Sequence, residues 1–159
     1  MFIFRQNFVN CIVFSIAFCL FCTSVISQIA SDKQPCQLCL ITRYMFFVVA
    51  AIALFFHRPK VLLPITSLCV VAFTFYHLGV ESHWWKAPRG CISELPTLNA
   101  IQNGELPNPN NAYCNQINWD IFGISSTLWS FLFATLLFWL SSVTYVVNYC
   151  LRKMEDNDD

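Results

Sequence analysis

The chain has 159 residues, of which 57% are hydrophobic and 11% charged, and its formal net charge is zero. A soluble domain usually carries about 25% charged residues, and a core this small could not hide so much apolar surface. Lipid is therefore the expected solvent, the length suits one domain, and zero net charge gives no reason to expect nucleic acid as a partner.

Four stretches are free, or almost free, of charge: residues 6–31, 35–56 with only Arg43 inside, 61–80 and 121–151. A bilayer core takes about 20 apolar residues as helix, and an isolated spanning strand would leave its backbone unsatisfied in lipid. The reading is all-α, an integral membrane four-helix bundle in a single domain, 1–159. Its spans are placed at about 8–30, 38–56, 61–80 and 124–150, with outer loops at 31–37 and 81–123. The first stretch outruns the roughly 7–15 residues of a signal-peptide core and lacks a clean small-x-small cleavage site, so an anchor is expected. Within it, Cys19-Leu20-Phe21-Cys22 is a CxxC with no charged neighbour. In hydrocarbon such thiols stay protonated and behave as small hydrophobes.

The second stretch opens on Pro35 and Cys36-Gln37-Leu38-Cys39. At a helix start, residues i and i+3 share a face, at a separation that suits a disulfide. The unpaired N–H groups there favour thiolate. Arg43 follows one turn after Cys39 on the same face, where a guanidinium can favour a thiolate or donate to a carbonyl. An arginine just inside lipid is costly and marks a functional position, the bland alternative being a snorkelling anchor.

Near the end of the third stretch lies His77, with Glu81 one turn on, just past it, and His83 beyond. Two ligands are too few for a metal, so these read as polar groups at the membrane boundary. The long connection that follows carries Pro88, Gly90, Pro96, Gly104, Pro107 and Pro109, which argue against one continuous helix. Cys91 and Cys114 bracket its Pro/Asn-rich part. They could form a staple contributing about 3 kcal/mol through chain entropy, or one cysteine could swing toward another pair. Trp84, Trp85 and Trp119 form the aromatic belt expected at an interface.

Four spans place both termini on one side, with Arg5, Arg58, Lys60, Arg152 and Lys153, against Lys33, Lys86 and Arg89 on the other. The positive-inside rule then makes the termini cytoplasmic. Of nine cysteines, Cys36, Cys39, Cys91 and Cys114 lie in or beside the outer loops. Cys11, Cys19, Cys22 and Cys69 lie in spans, and Cys150 at the inner end of the last. Exposed thiols in an oxidising compartment are expected to pair. Structural zinc usually takes two close cysteine pairs and only one exists here, while c-type haem needs C-x-x-C-H and Leu40 follows Cys39. No metal is expected.

Three segments are similar to the disulfide bond formation protein B family, DsbB: Cys36-Gln37-Leu38-Cys39 with Arg43, Tyr76-His77-Leu78-Gly79-Val80-Glu81, and the run from Cys114 through Trp119-Asp120-Ile121-Phe122-Gly123-Ile124-Ser125. The resemblance implies a bacterial inner-membrane enzyme, with its redox loops in the periplasm, that passes electrons from a periplasmic thioredoxin-like oxidase (DsbA-like) to a quinone, ubiquinone or menaquinone. It implies that Cys36 and Cys39 are the quinone-linked pair, with the Cys39 thiolate facing the ring. Arg43 and Trp119 would lie against the quinone, and Cys91 and Cys114 would meet the partner. The segment between those two cysteines is shorter than in the best-known members and lacks an obvious amphipathic helix. Two rivals are an epoxide-reductase-like quinone thiol enzyme, whose CxxC belongs near the end of the bundle sequence, and a non-enzymatic assembly factor stapled by disulfides.

Overall fold

The computed structural model describes residues 2–31, 36–55, 61–86, 88, 114, 120–121 and 123–158. Four helices dominate: α1 (Phe2–Ser31), α2 (Gln37–Phe55), α3 (Leu62–Glu81) and α4 (Ser126–Asp158). Each holds a segment long and apolar enough to cross a membrane, Phe8–Ile29, Gln37–Phe55, Leu62–Glu81 and Ser126–Leu151. The protein is a multi-pass membrane bundle, as the charge-free stretches required. Helices adjacent in sequence pack on one another, and α4 returns to α1 to close the ring.

The seam of α3 shows why this ring forms. Its buried residues Leu63, Ser67, Val70, Thr74 and His77 alternate steps of four and three along the chain, the spacing that keeps one stripe on one face. Lipid tails are as apolar as leucine, so helix association relies on close packing and small residues. Ala17, Ala50, Ala53, Ser67, Ala134 and Ser141 supply them, interleaved with Val13, Val49 and Leu137. The buried hydroxyls of Thr42 and Thr74 bond back into their own helices, to the Leu38 and Val70 carbonyls, which satisfies them without a partner helix. Cys11, Cys19, Cys69 and Cys150 are exposed on the outside of the bundle.

The fourth helix begins later than the expected 124. Asp120–Ile121 and Ile124–Ser125 pair as a short antiparallel hairpin, turned by Gly123 at φ +76°, a conformation glycine adopts without steric cost. Ser125 Oγ then accepts the Leu128 N–H at 3.2 Å and caps α4. The charge-free stretch that begins at 121 runs through the hairpin into the helix, so the absence of charge could not separate them.

Candidate functional site

The site lies where α2 begins and α3 ends. Cys36 is the N-cap of α2: its carbonyl accepts the Leu40 N–H at 3.0 Å, and its Sγ accepts the Cys39 N–H at 3.2 Å. The sulfur thus takes up one of the orphan donors of the first turn. The i,i+3 spacing brings Cys39 Sγ to 2.6 Å from Cys36 Sγ, with Cys36 as donor, a short step from the roughly 2.05 Å of a formed disulfide. Both thiols are free, Cys36 buried and Cys39 half-buried, so Cys39 is the sulfur of the pair more open to a ligand.

Cys114, from the connection between α3 and α4, meets this pair. It is 1% exposed and packs with Cys36, Leu38 and Val80, and its side chain hydrogen-bonds Cys36. That bond pulls the Cys36 thiol down, but the hydrogen bond to Cys39 and burial outweigh it and push the thiol up to about 12. Cys36 therefore stays protonated and donates to Cys39 Sγ. Cys91 and Trp119, both expected at the site, lie outside the described residues.

His77 completes the cluster. It sits on the buried seam of α3, one step after Thr74, and its Nε2 lies 3.8 Å from both Cys36 Sγ and Cys39 Sγ. By sequence His77 is expected only as a polar group at the membrane boundary. The signal that could have found it was the four-and-three spacing of α3, which carries the buried stripe as far as His77.

Arg43 does not join the sulfurs. Its Nε donates to Ser24 Oγ at 3.0 Å, Nη2 to the Ser24 carbonyl at 2.9 Å, and Nη1 to Gln28 Oε1. A guanidinium among apolar helices takes the nearest acceptors, and here these are on α1. Three of its five N–H donors are so used, which holds the group rigidly and leaves two without an acceptor among the described residues.

Beyond His77, α3 ends in a Schellman turn: the Trp84 N–H bonds the Gly79 carbonyl at 2.8 Å and the His83 N–H that of Val80 at 3.2 Å. His83, at φ +61°, holds the left-handed position. The turn folds the Trp85 indole back onto Gly79, where a Cβ would meet the ring at 2.1 Å. Tyr76 stacks on that ring at 5.7 Å and 14°.

A buried thiol beside a half-buried one, both next to an imidazole and within reach of a third cysteine, is a geometry for thiol–disulfide exchange. A family model described as Disulfide bond formation protein DsbB matches residues 6–144. No curated protein and no solved structure matches the chain significantly.

Proposed function

Since the chain belongs to the DsbB family and is a membrane disulfide-bond formation protein, we propose that it reoxidises a periplasmic DsbA-like dithiol and delivers the electrons to a membrane quinone. The observation that carries this reading is Cys114 hydrogen-bonded to Cys36, the buried member of the CxxC. An outer-loop sulfur is then already beside the sulfur it must attack.

The relay consists of exchanges in which a thiolate attacks a disulfide sulfur. A thiolate of the reduced partner attacks Cys91 of a Cys91–Cys114 disulfide and frees Cys114. Cys114 attacks Cys36 of the Cys36–Cys39 disulfide, and Cys39 leaves as thiolate, stabilised by the start of α2. The partner's second thiol displaces Cys91 and carries off the new disulfide. Cys91 then recaptures Cys114, releasing Cys36. The cycle leaves Cys36 and Cys39 reduced, and re-forming their bond removes two electrons and two protons.

A quinone, when bound, supplies the acceptor for those electrons; the periplasm is kept oxidising by such a route rather than by a buffer. The residues present suit it: Cys39 is half-buried, and Arg43 is braced by Ser24 and Gln28 with two N–H donors to spare among the described residues. Trp119 would add an aromatic face. The orientation follows the basic residues, with cytoplasmic termini in a bacterial inner membrane and the redox segments periplasmic.

The test is reoxidation of a DsbA-like partner by purified protein with added quinone. Cys36→Ser and Cys39→Ser should each abolish it, and unchanged rates would reject the reading. In Cys39→Ser, peptide mapping without reductant should recover a Cys36–Cys114 linkage; a purely structural staple would yield none.

A further inference from the structure

We propose that the reduced site is also a zinc-type metal site, with Cys36 Sγ, Cys39 Sγ and His77 Nε2 as ligands. The three donor atoms lie within 4.8 Å of one another. Tetrahedral zinc bonds sulfur at about 2.3 Å and nitrogen at about 2.0–2.1 Å, which sets the S···N edges near 3.6 Å and the S···S edge near 3.8 Å. Both S···N separations here are 3.8 Å, so the histidine already stands at the right vertex. The S···S separation of 2.6 Å has to open by about 1 Å to reach that edge, within reach of small side-chain rotations at the helix start.

Charge selects the ion. Cys36 and His77 are 3% and 4% exposed, and an unbalanced charge there would be costly. Two thiolates and one neutral imidazole exactly balance a divalent cation, and three protein ligands leave one tetrahedral vertex for a small exogenous ligand. Binding replaces two S–H bonds by two S–metal bonds and releases two protons; no electron moves. The sequence holds only one close cysteine pair at this end of the bundle, and the third donor arrives from α3.

The site exists only while the pair is reduced, since a disulfide offers no thiolate. A bound cation would hold Cys36 and Cys39 apart from each other and from Cys114, and so arrest the exchange cycle. That consequence rests on the proposed function; the binding itself does not.

The experiment uses the full chain in detergent, reduced and freed of reductant without oxygen, and titrated with Co2+ and then with Zn2+ against a chromogenic chelator. One equivalent of Co2+ should give a thiolate-to-metal charge-transfer band and tetrahedral d–d bands, both erased by Zn2+. The disulfide form should bind none, and His77→Gln should bind about tenfold more weakly or worse, with its fold verified by circular dichroism. Cys39→Ser, which keeps the histidine, should lose the tetrahedral spectrum as well. Absence of those bands in the reduced protein, equal binding by the oxidised form, or unchanged affinity in His77→Gln would each overturn the proposal. Partner reoxidation, measured separately with a chelator present, reports on the enzyme reading alone, so the two can fail independently.

Discussion

Replacing Gly79 by alanine should destabilise the protein, although alanine is the better helix former. In a helix interior the exchange would contribute about 0.5–1 kcal/mol in alanine's favour. Against that, the new Cβ would stand 2.1 and 2.2 Å from Cζ3 and Cε3 of Trp85, where carbon atoms normally rest about 3.5–4.0 Å apart. The indole must retreat by about 1.5 Å to regain that spacing. It cannot do so and keep both its stack on Tyr76, at 5.7 Å, and its edge contact with Phe75, at 5.5 Å. Each such aromatic pair is worth about 0.5–1.5 kcal/mol, and overpacking costs about 1–3 kcal/mol. The clash wins, with a net loss of about 1–2 kcal/mol. The assay is a double-mutant cycle in detergent, with denaturant unfolding of Gly79→Ala, Trp85→Ala and both together. Without the indole, Gly79→Ala should become neutral or stabilising. Equal destabilisation in both backgrounds, or none in the wild type, would refute the packing of Trp85 on Gly79.

Three further outcomes are expected. Ser24→Ala removes the hydroxyl that accepts from Arg43 Nε and should cost about 1 kcal/mol in stability; with Arg43 loosened, the apparent KM for quinone should rise more than kcat falls, as read by steady-state reoxidation. His83→Gly should stabilise the protein by about 1 kcal/mol in thermal unfolding, because residue 83 sits at φ +61°, a conformation that costs an L residue about that much. In the reduced protein, alkylation of Cys36 should stay slow through pH 9 and accelerate only toward pH 12, since its thiol is held at about 12. Cys114→Ala removes the bond that lowers it and should push the profile higher still. The linkage has a matching sign: the folded state keeps a proton that the unfolded chain releases near the ordinary value of 9.0. The stabilisation is therefore present below pH 9 and is lost as pH rises toward 12, which unfolding of the reduced protein across that range should show.

Much of this molecule is legible in its chain because membrane folding is governed by composition. A segment in lipid must satisfy its own backbone, so the charge-free stretches, their lengths and the interruptions between them determine four spanning helices. The CxxC was legible for a related reason: Cys36 and Cys39 are linked through one local turn, and i,i+3 on a helix start needs no tertiary information. What only the tertiary structure decided is which residues from distant parts of the chain meet those sulfurs. His77 comes to 3.8 Å from both because the α3 seam continues to that depth. Cys114 meets Cys36 from the connection between α3 and α4, and the Arg43 guanidinium turns to Ser24 and Gln28 on α1 rather than to Cys39 one turn away. Each outcome depends on how helices dock and which acceptor lies nearest in space, and hydropathy along one chain records neither.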